Sequence, residues 1–183
     1  MSDLAGLRVA MIATDGVEQP ELTEPKRALE EAGATVDVIA PKSGSIQAFH
    51  HHDKGDMIEV DRTLDEARPE DYGAVVLPGG ALNADAIRRV PALQQFLVQM
   101  DRSGKPLAAI CHAPWELISA NIARGRTLTS YFTIQDDIRN AGANWVDEEV
   151  VVDGNLVTSR KPDDIPAFNR EMVKLFSGAA VPA

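Results

Sequence analysis

The chain has 183 residues, 44% hydrophobic, 25% charged and 5% aromatic, a globular composition that excludes disorder and fibrous repeats. Its 28 acidic and 18 basic residues give a net charge of −10, which opposes a nucleic-acid backbone or an anionic membrane as partner. A single cysteine excludes a disulfide framework and a Cys-based zinc cluster, and suits a reducing compartment in which the thiol stays free.

The length fits one compact domain over 1–183. No apolar run approaches the roughly 20 residues of a membrane span, and the start MSDLAGLRVAMI lacks the basic head of a secretory signal, so a soluble cytoplasmic protein is expected. In chain order, Arg8 to Ala13 is the first predicted strand. Glu21 to Ala32 carries Leu22, Ala28, Leu29 and Ala32 at helical spacing and closes at Gly33; Pro25 places a start near Thr23 or a kink. Thr35 to Ala40 reads as a second strand. Ile46 to Phe49 and Met57 to Val60 read as short antiparallel strands elaborating the sheet edge, followed by the polar connection LDEARPEDYG.

Ala74 to Leu77 is a buried strand running into Pro78-Gly79-Gly80, with a short helix around Asp85 to Arg88. Pro91 opens a helix with Leu93, Phe96, Leu97 and Met100 inward, and Leu107 to Ile110 is a strand that ends at Cys111. A helix is expected from Pro114 to Gly125, then a small strand, a helix over Ile134 to Ala141, and a hairpin of Glu149–Val152 and Leu156–Ser159 around Asp153-Gly154. A last helix runs from Asp163 or Asp164 toward Phe176, leaving 177–183 as a loose tail. Strands alternating with crossover helices predict an α/β fold: a single, doubly wound, mostly parallel sheet flanked by helices.

Ligands in such sheets gather beyond the carboxyl ends of the strands. Three ends carry reactive groups: Glu18 after the first strand, Gly79-Gly80 after the Ala74 to Leu77 strand, and Cys111-His112 before a helix. Cys111 occupies the place of a nucleophile on a sharp strand-to-helix turn, where helix N–H groups would favour thiolate; the competing reading is a small buried hydrophobe. His112 has the ordinary range of a base. Glu18, if close to the sulfur, would be pushed toward its protonated form and could exchange protons with substrate; otherwise it is an exposed first-turn acid. Gly79 and Gly80 could offer N–H groups to a substrate oxygen. The run His50-His51-His52-Asp53 reads as a solvated loop rather than a metal site, and Trp115, Tyr131 and Trp145 as core or pocket-wall aromatics. No metal or cofactor enters this reading, and without a GxGxxG or Walker motif nucleotide binding lacks its phosphate cradle.

The segments TDGVEQPEL, VVLPGG, LAAICHAP, TSYFTIQDDIRNAGANWVDEEVVVDGNLVTSR and the terminal helix together resemble the PfpI-like intracellular peptidase and stress-protein family, within the class I glutamine-amidotransferase-like (flavodoxin-like) fold. The resemblance implies catalysis by Cys111 and His112, an acid at Glu18, and an inter-subunit acid at Asp85, where the family often has a longer Glu. It also implies Gly79, Gly80 and Ala113 around the oxyanion, and a homodimer or higher homo-oligomer. Ala113 stands where the family commonly has glycine. The expected function is cysteine-dependent consumption of small reactive carbonyls or glycated substrates, of a glutathione-independent glyoxalase or deglycase type. The alternatives are an intracellular cysteine peptidase and a sensor that works by cysteine oxidation.

Overall fold

The computed structural model describes residues 3–180. The chain opens with β1 (Arg8–Ile12), takes two residues of β2 (Val17–Glu18) and enters α1 (Gln19–Glu31). Then come β3 (Thr35–Ala40), a hairpin of β4 (Ser45–His50) and β5 (Asp53–Glu59), and the short β6 (Arg62–Thr63). The middle of the chain forms β7 (Ala74–Leu77), α2 (Ala81–Ile87), α3 (Pro91–Arg102), β8 (Leu107–Ile110) and α4 (Pro114–Ser119). It ends with β9 (Thr127–Leu128), α5 (Gln135–Asn140), β10 (Asn144–Trp145), the hairpin β11 (Val150–Asp153) and β12 (Leu156–Ser159), and α6 (Ile165–Ala180).

Among the described residues, seven strands form the main sheet in the order β11, β12, β8, β7, β1, β3, β6, with every neighbour parallel except the edge strand β11. From β1 the chain steps to β3 on one side and returns to β7 on the other. Their carboxyl ends therefore diverge into a crevice, the place where doubly wound sheets bind ligands.

Alternation along each strand divides the core between two faces. Val9 and Met11 pack with Leu22 and Leu29 of α1 and with Phe168, Met172 and Phe176 of α6. Ala10 and Ile12 point the other way, onto Leu93, Phe96, Leu97 and Met100 of α3, Leu117 of α4 and Ile138 of α5. Each fully buried side chain of this size contributes about 2 kcal/mol of transfer free energy.

Four expectations change. The first helix begins at Gln19, with Pro20 in its first turn where a missing N–H costs nothing, and continues through Pro25. The hairpin β4–β5 does not extend the main sheet; it pairs with β2 in a separate three-stranded sheet above the crevice end of β1. The helix after Cys111 ends at Ser119 rather than near Gly125, because Asn121 turns left-handed with φ +59°. Residues 177–180, expected loose, continue α6; residues 181–183 lie outside the described part.

Candidate active site

Cys111 follows β8 directly and adopts φ +66°, a left-handed conformation rare for a side chain larger than glycine. Two hydrogen bonds hold it there: its N–H donates to the Ser159 carbonyl at 3.0 Å and its carbonyl accepts from the Tyr131 N–H at 2.8 Å. Strain kept in place by its surroundings is a mark of functional positions. The sulfur lines a cavity of about 240 Å³ shared with Glu18, Glu21, His51, His52, His112 and Tyr131.

The carboxyl set against this sulfur belongs to Glu21, in the first turn of α1. Glu21 is wholly buried and neither of its oxygens meets a partner at full hydrogen-bond geometry, although the Cys111 thiol and the Gly79 N–H face it. Burial, then the nearby Glu18 carboxylate, pushes Glu21 up to about 8. Burial and the Glu21 charge push the Cys111 thiol up as well, while the Gly80 and His112 N–H groups, both aimed at sulfur, pull it down. The expected free thiolate at a helix start is thus replaced by a pair whose two anions repel, so that at neutral pH the pair keeps at least one proton between sulfur and carboxyl.

Close approach requires Gly79: a Cβ there would lie 2.6 Å from the Ile110 carbonyl oxygen and 2.7 Å from Cys111 Cβ, and would strike the Glu21 carboxyl. Gly80 has φ +95° and leaves no room for a side chain, since a Cβ would sit 2.7 Å from the Glu18 nitrogen. His112 Nδ1 is 3.2 Å from Cys111 Sγ, and its ring stacks on Tyr131 at 4.8 Å and meets Trp115 edge-on at 5.3 Å. Burial lowers His112 below its ordinary value and keeps it neutral, able to accept a proton.

Glu18 lines the cavity, but its two oxygens accept the His51 N–H at 3.1 and 3.2 Å. Ala113 does not face the cavity: it is fully buried in right-handed helical conformation, and its N–H donates to the Ile110 carbonyl at 3.1 Å. The methyl group fits where the family often has glycine, and Ala113 has no free N–H for an oxyanion. Asp85 stands exposed on α2 and lines no part of this cavity. Among the described residues no group of three or more His, Cys, Asp and Glu is arranged to hold a metal. Sequence reasoning did not single out Glu21, and it read His51 and His52 as part of a solvated loop, whereas both line this cavity.

The sequence profile of the DJ-1/PfpI family matches residues 7–175. This chain belongs to the DJ-1/PfpI family. It is 43% identical over 169 residues to the protein named Deglycase TK1284 from Thermococcus kodakarensis, covering 92% of this chain and 99% of that one. It is 41% identical over 169 residues to Deglycase PfpI from Pyrococcus furiosus, with the same 92% and 99% coverage. Among solved structures it superposes with TM-score 0.86 and 35% identity on a two-domain protein from Anabaena variabilis that contains DJ-1/ThiJ/PfpI-like and ferritin-like domains. That match takes in 97% of this chain and 50% of the other, so this chain spans half of the two-domain protein. The family and the fold expected from the sequence both hold. Among the described residues no helix is long and apolar enough to cross a membrane.

Proposed function

We propose that this protein is a cysteine-dependent enzyme that consumes reactive carbonyls without glutathione, of the glyoxalase or deglycase type. The observation that carries the reading is the buried Glu21 carboxyl set against Cys111, in a cavity whose size suits a small substrate. A neutral carboxyl beside a sulfur anion is the charge state that both attacks a carbonyl and supplies a proton.

Sulfur adds to the aldehyde carbon of an α-oxoaldehyde. The C–S bond forms as the carbonyl π pair moves to oxygen, which takes the proton from Glu21, while the Gly80 N–H sits beside the new hydroxyl. The Glu21 carboxylate then removes the hydrogen from that carbon, and by way of an enediol the proton arrives on the neighbouring carbon. What remains is a thioester of a 2-hydroxy acid. Water hydrolyses it, releasing the acid and returning the thiol proton, so the net change is the addition of one water molecule. A glycated amine joins the same route when sulfur replaces nitrogen on the carbinol carbon and the amine leaves with a proton.

The Cys111–His112 contact favours the peptidase reading as the second choice, since a neutral imidazole can take the thiol proton. Against it, an extended chain needs a groove, and the hairpin tip walls this cavity. Assembly belongs to the same reading: the exposed apolar Leu82 and Phe132 adjoin the cavity residues Ala81 and Tyr131, and a second copy covering them would bring Asp85 to the interface.

Methylglyoxal consumption tests the reaction. Cys111→Ala is expected to abolish it, and Glu21→Gln to slow kcat by about 100-fold or more while Cys111 still alkylates. Turnover surviving in the Cys111 variant sinks the reading.

A further inference from the structure

Two groups at the cavity stand outside the chemistry above: Glu18, buried with a paired carboxylate, and His51, the first residue of the hairpin tip. We propose that His51 is a substrate-contacting residue and that Glu18 is the positioning residue that holds it over the sulfur. The proposal deepens the carbonyl reading and rests on it for the substrate class.

His51 has φ +58°, and among the described residues it shares a positive φ without being glycine with two others, one of them Cys111. Such a conformation persists only where neighbours impose it. The two-residue turn between His50 and Asp53 calls for a positive φ at its first position, and Glu18 ties that same residue to the cavity rim. Both oxygens of Glu18 accept the His51 N–H, and Glu18 itself is fixed because β2 pairs with β4, setting Val17 opposite Ala48 and Glu18 opposite Phe49. One residue on, Gln19 grips the other strand of the hairpin, donating to Asp56 Oδ2 at 2.9 Å and accepting from the Asp56 N–H at 2.8 Å. The absence of a side chain at Gly55 makes room for the Gln19 amide. Two consecutive residues thus fasten both strands of the hairpin to the start of α1, the helix that also carries Glu21.

Core packing does not account for the arrangement at His51, because the residue is exposed. What it gains is place: His51, with His52, lines the cavity that holds Cys111, Glu21, His112 and Tyr131. The acid and the N–H donors around Cys111 serve the carbon under attack and its oxygen. An imidazole from the hairpin supplies a hydrogen bond to a second polar group on the substrate. The chemistry that fits is a carbonyl with an adjacent oxygen, as in an α-oxoaldehyde or a sugar-derived α-hydroxy ketone, in preference to a simple aldehyde.

Steady-state kinetics with methylglyoxal and NMR of the histidine rings test this together. His51→Ala and Glu18→Ala are each expected to lower kcat/KM at least 10-fold, the double variant to fall within twofold of the worse single one, and Glu18→Gln, which keeps an acceptor for the His51 N–H, to recover part of the loss. In the wild type, alkylating Cys111 with iodoacetamide is expected to shift the His51 ring resonances, and in Glu18→Ala that response is expected to disappear while the protein stays folded by thermal melting. A His51→Ala variant within twofold of wild type, additive losses, or ring resonances that ignore Cys111 alkylation would overturn the proposal. If the wild type leaves methylglyoxal untouched, the reaction assigned above fails, and the ring resonances alone decide the place of His51.

Discussion

Glu116 lies in the first turn of α4, wholly buried, with neither oxygen hydrogen-bonded. Burial pushes its carboxyl well above the usual range, and the Arg88 charge offsets this only in part. The folded state keeps the Glu116 proton at pH values where the unfolded chain has released it, so unfolding sheds a proton and stability falls as pH rises above about 4.5. Glu116→Leu is expected to make that slope shallower, leaving the part that Glu21 contributes, and to stabilise the protein by about 1–3 kcal/mol near pH 7.5, because an unpaired buried polar group costs about that much. Urea denaturation between pH 5 and 8 checks it; a variant as pH-sensitive as the wild type contradicts it. Glu21 bears the same kind of cost with its carboxyl raised to about 8, and the proposed reaction is what gives that proton a use. Gly79 is equally constrained. Gly79→Ala is expected to cost at least 100-fold in methylglyoxal turnover and about 1–3 kcal/mol of stability, since the added methyl must push apart Glu21, Ile110 and Cys111. Measured kcat and a denaturant midpoint decide it.

The elements that form the sheet were legible because β-branched runs and helical spacings are strong, local signals. Cys111 and the Gly79-Gly80 turn were legible for the related reason that a strand's end fixes where the next residue sits. Glu21 rather than the expected Glu18 lies against the sulfur, because the two are only three residues apart and their directions depend on where α1 begins. With a start at Gln19, Glu18 lies in β2 and turns to the hairpin, while Glu21 enters the first helical turn and meets the sulfur. Pro20 was the signal that could have set this phase, since proline favours the first turn, but Pro25 drew the predicted start downstream. The hairpin tip was harder: His51-His52 lacks the Asn-Gly or Asp-Gly pair that announces such turns, and the carboxylate that holds it comes from 33 residues earlier. At this scale α6 offers a plain test. Phe168→Ala should cost about 3–5 kcal/mol with an unchanged m-value, because the ring is fully buried between helix and sheet.

For the molecule as a whole, the crossing from β1 to β3 and back to β7 explains why residues far apart in sequence meet: it opens one crevice, and the strand ends on its rim deliver their side chains into it. The expectation of a second copy came only from family resemblance, since nothing in the local sequence at Leu82 or Phe132 announces an interface. Their exposures of 62% and 59% beside the cavity give the assembly reading its test. Sedimentation velocity is expected to find a dimer or larger species for the wild type and a smaller one for Leu82→Asp; a wild-type monomer would end that reading. The three-stranded sheet is joined to the start of α1 through Glu18 and Gln19, and the Cys111–Glu21 pair stands on other residues. Such a layout makes the loop an interchangeable cassette: a designer could graft a different tip between the same two anchors and retune which molecules are accepted without disturbing the sulfur's chemistry.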